Sequence, residues 1–160
     1  MGSGKTAVGN LLAHRLGFEY LDTDELIEKQ AGASIGQIFS QKGEEYFRDL
    51  ETQVLKSLEN KDNLVVSTGG GMVLRQENVK ILKKLGSLVL LWASPEKIYE
   101  RVKEEPYRPL LKVADPIAKI KELLKLREPI YKKAADFVID TSGLKVGQVA
   151  EEIIKWQKSK

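Results

Sequence analysis

The chain has 160 residues, 42% of them hydrophobic and 31% charged, a balance that suits one globular domain with a sizeable core. Its net charge of +3 is too mild to argue for nucleic acid or an anionic membrane surface, though it is compatible with a small anionic substrate. With no cysteine, disulfides and thiolate metal sites are excluded; no apolar run approaches the ~20 residues of a membrane span and nothing resembles a signal peptide, so a cytoplasmic protein is the expectation.

The first six residues, Met1-Gly2-Ser3-Gly4-Lys5-Thr6, match the second half of the phosphate-binding pattern G-x-x-x-x-G-K-[ST]. Gly2 and Gly4 allow backbone N–H groups to close around a phosphate, Lys5 can reach the β- and γ-phosphates, and the Thr6 hydroxyl suits Mg²⁺. The following AVGNLLAHRLG reads as a helix with Val8, Leu11, Leu12 and Leu16 on one stripe, its positive N-terminal end facing the phosphates. The first glycine of the pattern and the strand expected before it would lie upstream of Met1. On its own, M-G-S-G-K also fits a flexible start.

Gly17 can stop that helix, and Phe18 to Leu21 reads as a short strand that empties into Asp22-Thr23-Asp24. Carboxylates at the C-terminal end of a strand in an α/β sheet point toward the ligand crevice, but Asp22 or Thr23 can equally cap a helix starting at Glu25. Ser34 and Gln37 have capping-box spacing and open a second helix; a third runs from about Gly43 to Leu58, burying Phe47, Leu50, Val54, Leu55 and Leu58. Arg48 and Glu51 share a face of it at i and i+3, and as an isolated pair they read as a solvated contact of little energetic weight.

Asn63 to Ser67 is a continuous apolar run of the kind buried on both faces of a parallel sheet. It leads into Thr68-Gly69-Gly70-Gly71, where three glycines in a row favour close backbone approach by a ligand over an ordinary loop. Ser67 stands where a metal-orienting acid would be expected. Gln76 to Leu85 reads as a helix and Ser87 to Trp92 as a strand with a core tryptophan. Ser94-Pro95 caps a helix carrying Arg101, and Glu104 to Pro109 reads as a mobile loop. Asp115-Pro116 opens a helix that Pro129 should kink or interrupt, with Arg127 at its far end. Asp136 to Asp140 is the last strand and Val146 to Trp156 a closing helix, docked by Trp156. His14 has no acidic or cysteine partner at ligand spacing and reads as a surface residue.

Alternating strands and helices imply a parallel sheet with helices on both faces. GSGKT, DTD, FRDLE, STGGG, YRPLL and LREPIY, in that order, resemble shikimate kinase across essentially the whole chain. The resemblance implies a P-loop α/β fold like that of nucleoside-monophosphate kinases, its first central strand absent from this chain. It implies one domain over 1–160, with substrate-binding helices about 25–60 and a lid about 104–115. It also implies transfer of the ATP γ-phosphoryl group to the 3-hydroxyl of shikimate with Mg²⁺, on the route to chorismate and aromatic amino acids, by a monomer without nucleic-acid or membrane partners.

By the same resemblance Gly2, Ser3, Gly4, Lys5 and Thr6 hold the ATP phosphates and the metal, and Asp22 anchors the metal through its water shell. Asp24 bonds the substrate hydroxyls and stands where it can accept the proton. Arg48 and Arg127 clamp the shikimate carboxylate, with Glu51 and the Gly69-Gly70-Gly71 backbone completing that pocket. Arg108 closes on the phosphates, and Arg101 stacks on adenine. Two other readings stay open: a related small-metabolite kinase such as a gluconate kinase, and a nucleotide-binding protein inactivated by its short start.

Overall fold

The computed structural model describes residues 2–103 and 113–160. Its elements are α1 (Lys5–Leu16), β1 (Glu19–Asp22), α2 (Thr23–Ala31), α3 (Ile35–Ser57), β2 (Leu64–Ser67), a 3₁₀ turn (Met72–Leu74), α4 (Gln76–Leu85), β3 (Val89–Trp92), α5 (Pro95–Val102), α6 (Pro116–Ala134), β4 (Phe137–Asp140) and α7 (Val146–Lys158). The chain divides into two compact units, one of Thr6–Leu88 and the other of Met1–Lys5 with Val89–Lys160.

In the Thr6–Leu88 unit, β1 and β2 pair in parallel, from Glu19 opposite Leu64 to Asp22 opposite Ser67. Among the described residues no strand pairs with the other edge of β2. Leu64, Val65 and Val66 are accordingly only half-buried, less than a strand covered on both faces and both edges would be. Gly17 ends α1 in the left-handed conformation with φ 68°, which costs a glycine no Cβ clash. Leu16, expected on the buried stripe, is exposed in that last turn.

Ser34 and Gln37 form the capping box: the Gln37 N–H donates to Ser34 Oγ at 3.3 Å and the Ser34 N–H to Gln37 Oε1 at 2.9 Å. Gly43, at φ 84° and ψ 173°, breaks α3 into the two helical segments expected from the sequence. One core gathers Ile27, Ile38, Phe47, Leu50 and Val54 between α2 and α3. A second joins Leu55 to Met72, Ile81 and Leu82, seating the 3₁₀ turn and α4.

In the other unit, β3 and β4 pair in parallel from Val89 opposite Phe137 to Trp92 opposite Asp140. Ser94 caps α5, accepting from the Lys97 N–H at 3.2 Å with Pro95 in the first turn; Asp115 caps α6, accepting from the Ala118 N–H at 2.9 Å. Of the kink or interruption expected at Pro129, the interruption does not occur, and α6 runs through it to Ala134. Pro129 lies on an exposed stretch, and so does Lys125, whose carbonyl loses its helical donor, so water can satisfy that group. Trp92 is half-buried rather than core, with Lys132 Nζ 5.7 Å from its ring centroid. Trp156 does dock α7, stacking on Phe137 at 4.9 Å between centroids. Among the described residues no helix is long and apolar enough to cross a membrane.

Candidate active site

The glycine loop opens the first helix. Gly2 and Gly4 adopt φ 62° and 89°, and Lys5 begins α1. At Gly2 the glycine is required twice: the backbone is left-handed, and a Cβ would stand 2.9 Å from Val102 Cγ1 and 3.0 Å from Ile98 Cγ2 on α5. The loop is also held from the side. Arg101 donates from Nη1 to the Gly2 carbonyl at 3.2 Å and to Thr141 Oγ1 at 3.1 Å, and from Nη2 to the Thr141 carbonyl at 2.8 Å. Thr141 is buried just beyond β4 and its N–H donates to the Trp92 carbonyl at 2.8 Å. Its part in holding the loop was not visible in the sequence, where Thr141 lies far from Gly2.

At the end of β1, Asp22 takes the capping role that its position allowed. Its Oδ1 accepts the Asp24 N–H at 2.9 Å, capping α2, which begins at Thr23 rather than Glu25; its Oδ2 accepts from the Tyr20 hydroxyl at 3.4 Å. Thr23 is fully buried and its Oγ1 accepts the Gly69 N–H at 3.1 Å, tying the glycine run to the start of α2. Gly69 lies so close that a Cβ there would meet Asp24 Oδ1 at 2.8 Å and Glu51 Oε1 at 3.4 Å. The carboxyls of Asp24 and Glu51 therefore converge on this turn.

The Arg48–Glu51 pair is not the solvated contact its spacing suggested. Glu51 is 1% exposed and accepts from Arg48 Nη1 at 2.8 Å, while Arg48 Nη2 reaches the exposed Glu44 at 2.9 Å and its guanidinium lies against Gly71. Burial is the main influence on Glu51 and pushes its carboxyl above the ordinary value, against the opposing pull of the Arg48 hydrogen bond and charge; nearby Asp24 adds to the rise. Burial works to lower the Arg48 pKa, but hydrogen bonds to Glu51 and Glu44 outweigh it and the guanidinium stays charged. The spacing of the pair could not reveal this, because the burying wall is the distant glycine turn.

Arg127 sits half-buried on α6, in the other unit from Arg48. Among the described residues neither Lys5 nor Arg127 has an ion-pair partner. Arg108 lies outside the described residues, as does the 104–112 part of the expected lid. Among the described residues no group of three or more His, Asp or Glu can hold a metal by itself.

A glycine loop opening a helix, parallel β–α–β units and carboxylates at a strand end define a P-loop α/β enzyme of the phosphotransferase class. The sequence matches the family described as "Shikimate kinase" over residues 1–158. The chain belongs to the shikimate kinase family. It is 53% identical to the shikimate kinase of Thermodesulfovibrio yellowstonii over 97% of this chain and 89% of that one. It is 46% identical to that of Caldanaerobacter subterraneus subsp. tengcongensis over 97% and 90%. Among solved structures, the shikimate kinase from Acinetobacter baumannii in complex with shikimate superposes with a TM-score of 0.91 at 40% identity, covering 99% of this chain and 89% of that chain. The gluconate-kinase and non-catalytic readings are not favoured by these relatives.

Proposed function

We propose that the protein transfers the γ-phosphoryl group of ATP to the 3-hydroxyl of shikimate, giving ADP and shikimate 3-phosphate for the synthesis of chorismate and aromatic amino acids. The observation that carries this reading is the buried Glu51 fixing Arg48 against the glycine turn, with the Asp24 carboxyl against the same turn. The Arg48 guanidinium is held by Glu51 at Nη1 and by the exposed Glu44 at Nη2, leaving further N–H groups to meet a planar substrate carboxylate, and the neighbouring aspartate can accept substrate hydroxyl protons.

In this reading Gly2, Ser3, Gly4, Lys5 and Thr6 cradle the ATP phosphates, and Arg48 with Arg127 grips the shikimate carboxylate beside Glu51, Gly69, Gly70 and Gly71. Asp24 orients the 3-hydroxyl and takes its proton as the new O–P bond forms and the bond between the γ-phosphorus and the bridging oxygen breaks. Phosphoryl transfer needs positioning and charge neutralisation more than covalent help, so a site of cations, backbone amides and one base suffices. Arg108 belongs to the phosphate contacts by its motif. Arg101 is assigned to the adenine side, where its carbon stem and guanidinium plane remain usable beside its bonds to Gly2 and Thr141.

Mg²⁺ fits the donor set. Such ions keep several waters and take only one or two protein oxygens beside substrate phosphates, which suits Thr6 and a water-mediated Asp22 better than an all-protein cage. When bound, the ion neutralises charge on the transferring phosphate. The protein is proposed to act as one functional domain over 1–160, with the helices about 25–60 receiving shikimate and the segment about 104–115 serving the phosphates. The deciding assay follows ADP release with shikimate, gluconate and nucleoside monophosphates as acceptors. Shikimate-dependent release is the expected result, and preference for gluconate would overturn the proposal.

A further inference from the structure

Behind the glycine turn lies a buried polar chain that the proposed chemistry does not use. Asn78, fully buried on α4 among Ile81 and Leu82, donates from Nδ2 to the Met72 carbonyl at 3.0 Å. Its Oδ1 accepts from the Thr52 hydroxyl at 2.7 Å, and Thr52 on α3 lies 3.2 Å from the Arg48 carbonyl. Met72 follows Gly71 directly, and its N–H donates to the Gly69 carbonyl at 3.1 Å. One side-chain amide thus ties the far side of the glycine turn to the helical turn that carries Arg48 and Glu51.

An apolar residue at position 78 would fill the same space in an otherwise apolar seat. A buried amide must have all its partners present, so it tolerates only one arrangement of its neighbours, whereas apolar packing tolerates several. Here the arrangement it fixes is the separation between the glycine backbone and the Arg48–Glu51 pair. We infer that Asn78 and Thr52 are positioning residues for substrate recognition: they hold the Gly69–Met72 turn at the distance from Arg48 and Glu51 that accepts a carboxylated substrate. The inference rests on the proposed reading of that turn as the carboxylate pocket.

The test compares Thr52→Val, Asn78→Leu and the double variant with the wild type in melting temperature and in KM for shikimate and for ATP, with Thr52→Ser as the conservative control. Either single change leaves a buried polar group without its partner and should lower the melting temperature. The double change removes both partners of the Thr52–Asn78 bond and should recover that part of the loss, while the Met72 carbonyl stays without its donor. If the pair positions the turn, the double variant keeps a shikimate KM raised about tenfold, since small misplacements are costly, while KM for ATP is unmoved and Thr52→Ser behaves as wild type. A shikimate KM that returns with the melting temperature, or that rises together with KM for ATP, would overturn the inference. Should the double variant stay unstable, Thr52→Val assayed well below its melting point decides by the same two KM values. Arg48→Ala separates the two readings: if it leaves the shikimate KM unchanged the pocket assignment itself fails, whereas a raised KM there with normal values in the Thr52 and Asn78 variants removes only the positioning role.

Discussion

Gly71 and Arg48 occupy what would be one residue's space: a Cβ on Gly71 would lie 2.2 Å from Arg48 Nη1 and 2.7 Å from its Cζ. Gly71 itself sits at φ −87° and ψ −17°, a conformation any residue adopts, so its glycine is explained by the guanidinium and not by the backbone. Gly71→Ala should therefore displace Arg48 from Glu51 rather than strain the loop. Loss of a charge-assisted contact costs roughly 1.5–3 kcal/mol, so KM for shikimate should rise about 10- to 100-fold. Steady-state kinetics at saturating ATP measure this, and an unchanged KM would show that Arg48 can move aside without consequence.

Asp24→Asn and Arg127→Ala should fail in different ways. Removing a general base typically lowers the rate about 10²–10⁴-fold, so Asp24→Asn should act on kcat. Arg127→Ala removes a proposed carboxylate contact made equally in ground and transition states, so it should act on KM for shikimate, by about 10- to 100-fold. A reduced kcat with normal KM in Arg127→Ala would contradict the clamp.

Glu51 predicts a pH dependence of stability. Its folded-state pKa is raised above the ordinary 4.5, so the native state binds this proton more readily than the unfolded chain does. That contribution is complete below the unfolded pKa and is lost as pH rises through the raised folded value. Glu51→Gln cannot titrate, so the wild-type-minus-variant difference in melting temperature should shrink as pH is raised from the unfolded pKa through the folded one. A difference that grows with pH would mean that Arg48 dominates burial and the folded pKa is lowered.

Thr141→Val should weaken ATP binding without touching shikimate. The substitution keeps shape but removes the Oγ1 that accepts from Arg101, loosening the support of the Gly2 carbonyl. A typical hydrogen bond contributes about 1 kcal/mol net, so KM for ATP should rise about fivefold. Nucleotide titration by calorimetry gives an independent reading. Equal losses for both substrates would instead point to a general disturbance of β4.

What the sequence made legible was whatever is encoded within a few residues: the glycine loop, the Ser34–Gln37 capping box, the break at Gly43, and strands set off by Gly and Asp. What it hid depends on residues distant in the chain. The Arg48–Glu51 spacing reads as surface because Gly71, which walls it in, lies 20 residues after Glu51. Thr52 and Asn78 each look like ordinary polar positions on amphipathic helices, and only their apposition makes them a network. The interruption allowed for at Pro129 does not occur, and the exposure of Lys125 and Pro129, which lets water satisfy the freed carbonyl, was not legible from local helix chemistry.

Asp22 closes the first turn of α2 with one oxygen and accepts from Tyr20 with the other, and the metal role proposed for it would add a second demand, for charge, at the same position. Those two demands narrow the evolutionary options at the position. Ser, Thr or Asn would keep the cap and forfeit the charge, and Glu would keep the charge on a stem too long to cap well. Aspartate alone meets both demands. Drift at position 22 should therefore be possible only where a second substitution first relieves one of them, by recapping α2 or by supplying a negative charge from elsewhere.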